Sequence, residues 1–125
     1  MTDTINRNGR LIAAALAAAL AVAPAAADTL DDIIERGTLI AGAKPDYAPW
    51  GFRNPNGELE GLEIDMLNDF ARRLSEHAGK EIALELVPVV ASNRMEFLEQ
   101  GRIDMFIATM SDTEQRRKVV GIVQP

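Results

Sequence analysis

The chain has 125 residues, which is the size of one domain or of part of one. It carries 13 Lys and Arg residues against 19 Asp and Glu residues, and its formal net charge is −6. This acidic balance argues against nucleic acid and anionic membranes as partners. The sequence has no cysteine, which excludes disulfides and a lipid-modified cysteine.

The first 27 residues are predicted to be a secretory signal peptide. Arg7 and Arg10 precede an apolar run at 11–22, and the small residues Ala25-Ala26-Ala27 follow. Positive charge, an apolar stretch and small residues in this order are typical of a cleaved export signal. A membrane anchor is the alternative, but a span needs about 20 apolar residues. Without cysteines, the exported chain fits the periplasm best, and secretion from the cell is the lesser option.

The segment from 28 to 125 is predicted to alternate helices and strands. The predicted elements are a helix at 28–37, a strand at 38–43, a helix at 62–78, a strand at 81–89, a helix at 92–101, a strand at 105–108, a short helix at 113–118 and a strand at 119–123. This order indicates an α/β fold with a parallel sheet and flanking helices. The chain ends without a closing helix, so we expect it to be incomplete.

The helix at 62–78 is the most strongly predicted element. Its apolar residues recur at the i, i+3 and i+4 spacing of one helix face: Leu67, Phe70, Ala71, Leu74 and Ala78. Glu63 and Asp65 lie in its first turn, where the helix dipole favours negative charge. The turn residues at 54–57, Asn-Pro-Asn-Gly, predict a small hairpin before this helix.

Two loops are candidates for a ligand site, because ligands of open α/β sheets bind beyond the carboxyl ends of the strands. The second loop, at 109–116, has the components of an anion site. Thr109 and Ser111 offer hydroxyl groups on either side of Met110, and Arg116 is placed to reach back from the following helix. Arginine binds a carboxylate through two parallel hydrogen bonds. The alternative is an ordinary helix cap with a solvated arginine.

The first loop, at 44–50, contains the only Tyr and the only Trp of the chain, Tyr47 and Trp50. An aromatic face in a cleft can cover the apolar part of a ligand. For Tyr47 we favour this role. For Trp50, which lies beside Pro49 and Phe52, the alternative of a core residue that anchors the loop is slightly favoured.

Three stretches of the sequence resemble the family 3 solute-binding proteins of polar amino-acid ABC transporters. They are Tyr47-Ala48-Pro49-Trp50, then Gly61-Leu62-Glu63-Ile64-Asp65-Met66, and the longest, which runs from Gly101 to Arg116. The last is the most specific, and the resemblance extends from about residue 30 to the end of the chain.

The resemblance implies a periplasmic-binding-protein-like (type II) fold, in which two lobes close on a ligand. Residues 28–125 are then an incomplete first lobe, and the second lobe is missing. The resemblance places the ligand α-carboxylate on Arg116, with Thr109 and Ser111 holding the α-carboxylate and α-ammonium and Tyr47 stacking on the side chain. Relatives for cationic ligands have an acid at the position of Lys44, so this lysine indicates an acidic or neutral ligand. A solvated rim lysine is the alternative.

The expected function is therefore that of a binding component of an ABC importer, with an inner-membrane permease as its partner. We expect a monomer that takes an amino-acid-like ligand and needs no metal, cofactor or catalytic residue. Two alternatives stay open, a dehydratase-like enzyme of the same fold and the input domain of a sensor. An enzyme needs an acid or base in the cleft, and the only histidine, His77, is predicted far from the strand ends.

Overall fold

The computed structural model describes residues 28–123. Four helices lie among these residues: α1 (Thr29–Arg36), α2 (Leu62–Ala78), α3 (Arg94–Glu99) and α4 (Glu114–Arg117). Six strands accompany them: β1 (Thr38–Ala43), β2 (Asp46–Tyr47), β3 (Gly51–Arg53), β4 (Leu59–Glu60), β5 (Ala83–Pro88) and β6 (Met105–Phe106). The predicted signal peptide at 1–27 lies outside the described residues. None of the helices in 28–123 has the length and apolar character that a membrane span requires.

The central sheet is parallel, with strand order β5-β1-β6, and this confirms the predicted α/β class. Strand β1 pairs along its whole length with β5, from Thr38 opposite Ala83 to Ala43 opposite Pro88. Its other edge pairs with the short strand β6. The predicted hairpin is also present, as β3 and β4 pair antiparallel, and β2 extends it into a second sheet.

The core lies between the central sheet and α2. Three residues of β1 are fully buried, namely Leu39, Ala41 and Ala43. They pack with the inner face of α2, where Ile64, Leu67, Ala71 and Leu74 are buried. The predicted helix face is thus correct except for Phe70, which is 43% exposed.

Several predicted boundaries differ from the structure, and one predicted strand is absent from the described residues. The strand at 105–108 ends at Phe106, and the helix at 92–101 begins only at Arg94. The predicted fourth strand at 119–123 is wrong, since this segment pairs with no strand of the described chain. Val119 is 58% exposed and Val123 is 93% exposed. Apolar residues favour a strand only where a neighbouring strand accepts the backbone hydrogen bonds.

Candidate functional site

The carboxyl ends of the three parallel strands lie at one edge of the sheet, and both predicted loops leave from it. The first loop follows β1, and the second follows β6. The connection between β5 and α3 leaves from the same edge. Ligand sites of open α/β sheets are built at such an edge.

In the first loop, the Lys44 ammonium lies 4.0 Å from the centroid of the Tyr47 ring. A cation over an aromatic face is held by the ring quadrupole. Tyr47 is 45% exposed and Trp50 is 40% exposed, so the Trp50 side chain is not a core residue. The Trp50 backbone does anchor the loop, because its carbonyl accepts a hydrogen bond from the Glu63 N–H at 2.7 Å.

Thr109 of the second loop is held by two buried charged side chains. Its N–H donates to Glu63 Oε1 at 3.0 Å, and its carbonyl accepts from Arg94 Nη1 at 3.0 Å. Glu63 is 4% exposed and Arg94 is 6% exposed. Buried charges are tolerated where hydrogen bonds and opposite charges compensate the loss of water. The first turn of α2 and the first residue of α3 therefore converge on Thr109.

The electrostatics around Thr109 are dominated by positive charge. Burial raises the pKa of Glu63, although the Thr109 N–H, Lys44 and Arg94 all act to lower it. Burial lowers the pKa of Arg94, and repulsion from Arg116 lowers it further, while Glu63 opposes both effects. Lys44 and Arg94 thus act on one buried carboxylate, and Arg116 adds a third positive charge near Arg94. An arrangement of this kind attracts an anionic group.

Arg116 reaches back over its own loop, and its Nη1 donates to the Ser111 carbonyl. The Thr113 hydroxyl caps α4 by accepting from the Arg116 N–H at 3.3 Å. Helix α4 has only four residues, so side-chain cations rather than its dipole account for the positive field. Met110 lies apart from this cluster and lines a groove of about 960 Å³ along β6.

Sequence reasoning missed Arg94 and underestimated Glu63. The sequence explained Glu63 by the helix dipole and by its place in the stretch that resembles the family, but not by its contact with a loop 46 residues away, which depends on the tertiary fold. Arg94 opens α3, where a cation is disfavoured by the dipole. A cation at the start of a helix, where the dipole favours an anion, was the available indication in the sequence that Arg94 has a second role.

Comparison with known proteins gives a consistent result. Residues 39–125 match the family model of bacterial extracellular solute-binding proteins, family 3. The glutamine-binding protein of Geobacillus stearothermophilus is 39% identical over 97 residues, which are 77% of this chain and 36% of that protein. The L-cystine-binding protein of Escherichia coli is 32% identical over 88% of this chain and 39% of its own length. The chain thus spans little more than a third of these curated relatives.

Solved structures agree with this assignment. The arginine-bound form of domain 1 from TmArgBP has a TM-score of 0.67 and 32% identity, with 76% of this chain and 71% of that chain covered. An ancestral amino acid-binding protein, described as a precursor of cyclohexadienyl dehydratase, has a TM-score of 0.64 and 34% identity, with 74% and 38% covered. The described residues therefore have the fold of one lobe of a periplasmic amino-acid-binding protein. The chain belongs to family 3 of the bacterial extracellular solute-binding proteins.

Proposed function

We propose that this chain captures an amino acid, or a similar small carboxylate, for an ABC importer. The observation that carries the proposal is the cluster of Lys44, Arg94 and Arg116 around Thr109 at the sheet edge. Arg116 binds the α-carboxylate in this proposal, with Thr109 and Ser111 beside it. Tyr47 and Trp50 offer exposed aromatic faces for the rest of the ligand.

The charge balance supports a ligand with an acidic or neutral side chain. Burial lowers the pKa of Arg94 and repulsion from Arg116 lowers it further, and a bound anion near both arginines would relieve that repulsion. Lys44 adds a third positive charge, beside Tyr47. A basic side chain at this point would be repelled by these cations, and the Glu63 carboxylate that could offset them is buried.

The names of the relatives fit this range of ligands. They include binding proteins for glutamine, for L-cystine and for glutamate and aspartate. The structure of TmArgBP domain 1 is described as arginine-bound, so the fold itself does not set the charge preference. In our proposal local residues such as Lys44 set it.

The proposed protein is exported and has two lobes. Residues 1–27 serve as its signal peptide and residues 28–125 belong to its first lobe. The ligand lies between the lobes, in the periplasm, and the loaded monomer delivers it to an inner-membrane permease. A site shared by two lobes explains why six of the seven predicted site residues line neither of the two grooves found along α2 and β6 of the described chain.

Binding is favoured over catalysis. His77 lies in the last turn of α2, at the opposite end from Glu63. Glu63 is an acid with a raised pKa, but neither of its carboxylate oxygens is presented to a ligand. Oε1 accepts the hydrogen bond from the Thr109 N–H, and Oε2 is buried. A general acid must reach the proton that it transfers, directly or through one water.

The test is a calorimetric panel of amino acids against the full exported protein, stripped of any ligand that copurifies. We expect glutamate, glutamine or another acidic or neutral amino acid to bind with a Kd of about 1 μM or below, a binding free energy of about −8 kcal/mol. Lysine and arginine should bind at least about tenfold more weakly, a difference of about 1.4 kcal/mol. A protein that prefers basic amino acids, or binds none, would contradict the proposal. NMR spectra of the recovered ligand should show no chemical change, whereas turnover would indicate an enzyme.

A further inference from the structure

We infer that Glu63 is a positioning residue of the ligand site, because its carboxylate and the Arg94 guanidinium together fix the backbone on both sides of Thr109. The inference rests on the proposed function only in taking Thr109 as a ligand contact. The fixing of the backbone itself is a property of the ligand-free chain.

The two hydrogen bonds act on two successive peptide groups. The Thr109 N–H belongs to the peptide that joins residues 108 and 109, and it donates to Glu63 at 3.0 Å. The Thr109 carbonyl belongs to the next peptide, and it accepts from Arg94 at 3.0 Å. With both peptides held, the two backbone torsions of Thr109 are determined. The backbone of Thr109 is therefore fixed, and with it the position of Cβ from which the hydroxyl is offered to a ligand.

The two holding residues come from regular elements, whereas the loop that they hold has no secondary structure of its own. Strand β6 ends at Phe106, and residues 107–113 belong to no helix or strand. Glu63 is fixed by its N–H bond to the Trp50 carbonyl, and Arg94 by its N–H bond to the Val90 carbonyl at 3.1 Å. Side-chain bonds from two helices thus replace the ladder bonds that a longer strand would provide.

The charge of Glu63 matters beyond its ability to accept a bond. Its Oε2 is buried and has no hydrogen-bond partner within the described chain. A Cβ on Gly51 would come within 3.0 Å of this oxygen, so the glycine leaves room for the carboxylate. A neutral acceptor would bond the Thr109 N–H at a lower cost of removal from water. It would, however, leave Arg94 without a countercharge. Hydrogen bonds to an ionised acceptor are roughly twice as strong as neutral ones.

The first test follows the Thr109 amide by NMR in the ligand-free, full exported protein. Because the amide donates to the carboxylate, its proton resonance should move upfield as Glu63 takes up a proton, at a pH above 4.5 given the raised pKa. Glu63→Gln keeps an acceptor and should abolish this titration. The matched control is Asp65→Asn, which neutralises an exposed acid in the same helical turn and should leave the titration unchanged. A Thr109 resonance that does not titrate, or that titrates equally in Glu63→Gln, would overturn the inference.

The second test measures affinity for the amino acid that binds the wild type best. Glu63→Ala should weaken binding by about tenfold or more, because the lost bond has a charged acceptor. Glu63→Gln should weaken it by less than about threefold, since the bond survives without its charge. If Glu63→Ala binds like wild type, the positioning role is wrong; if it does not fold, the amide titration of Glu63→Gln decides. Failure of the proposed function appears separately, as a wild type that binds no amino acid while its Thr109 amide still titrates.

Discussion

At the scale of single residues, the most direct prediction concerns the effect of Arg116 on ligand affinity. In the proposed two-lobe protein, Arg116→Ala should leave the bound carboxylate without its charged partner, at a cost of roughly 2–5 kcal/mol. This corresponds to a loss in affinity of about 30-fold or more. Arg116→Lys should recover only part of the loss, because lysine lacks the planar pair of donors. Calorimetric titration of both variants measures the effect.

The neighbouring arginine is a matched control for this prediction. Arg117 is exposed and forms a bidentate ion pair with Asp112 rather than pointing into the cluster. Arg117→Ala should therefore change affinity by less than about twofold, as is usual for exposed pairs. Equal losses in the two variants would indicate that α4 as a whole, and not the Arg116 guanidinium, supports binding.

Lys44 is expected to set the charge preference of the side-chain pocket. Its ammonium lies over the Tyr47 ring, the same ring that is proposed to contact the ligand side chain. Lys44→Asp should lower affinity for glutamate and raise it for lysine, because the local charge changes sign. Lys44→Met should reduce the preference without inverting it. A binding panel of glutamate, glutamine and lysine measures the ranking.

The Lys44 panel should be repeated at two salt concentrations, since an exposed charge is screened by salt and a partly buried one much less. Lys80 follows the end of α2 and is exposed, which makes Lys80→Asp a control for the change in net charge. An unchanged ranking in Lys44→Asp would place Lys44 on the rim and assign specificity to the second lobe.

The buried Glu63 carboxylate also predicts a pH dependence of stability. Its pKa is raised above 4.5 in the folded chain, so the folded state binds the proton more tightly than the unfolded state. The contribution of Glu63 is therefore fully present below pH 4.5 and is lost as the pH rises through the folded pKa. Relative to Glu63→Gln, the wild type should lose stability over this window and then level off. Urea unfolding of both proteins from pH 4 to 8 measures the free energy of unfolding of wild type minus that of Glu63→Gln. A wild type that gains stability relative to Glu63→Gln as the pH rises would contradict the prediction.

At the scale of elements, the start of α2 depends on a glycine. Gly61 has φ +124°, and a Cβ there would lie 2.4 Å from the Trp50 carbonyl oxygen. Gly61→Ala should therefore lower the free energy of unfolding by about 2 kcal/mol or more, through backbone strain and the close contact together. Gly57 also has a positive φ, but nothing lies within 4 Å of its Cβ position. Gly57→Ala should cost only about 1 kcal/mol, and equal costs in urea unfolding would exclude the contact with Trp50.

Sequence patterns predicted the elements where local and tertiary signals agree. The bounds of α2 were predicted correctly, since its apolar face recurs over 17 residues and Gly79 ends it with φ 66°. The strand at 119–123 was predicted from composition alone, yet a strand exists only with a neighbour. The two loops could be assigned to one sheet edge from the order of strands and helices along the chain. The convergence of Glu63 and Arg94 on Thr109 could not be predicted in this way. Those bonds span 46 and 15 residues, and no local pattern encodes such a distance.

At the scale of the whole molecule, the expected affinity of a single lobe follows from how much of the ligand it covers. Amino-acid sites bury most of the ligand surface, and one lobe leaves the far side in water. We expect weakened rather than abolished binding, because the proposed carboxylate and side-chain contacts lie on this lobe. Residues 28–125 alone should bind the ligand of the two-lobe protein with a Kd well above about 1 μM.

Calorimetry on the separate lobe and on the two-lobe protein tests this expectation, after circular dichroism has established that the lobe is folded. Arg116→Ala in the lobe is the control, because residual binding at the proposed site must depend on the same guanidinium. A submicromolar Kd for the lobe would mean that its cations and aromatic residues provide nearly all the binding free energy. The second lobe would then act in ligand release or in permease recognition. A weak Kd that Arg116→Ala removes would instead assign the rest of the binding free energy to the proposed second lobe, in proportion to the logarithm of the ratio of the two Kd values.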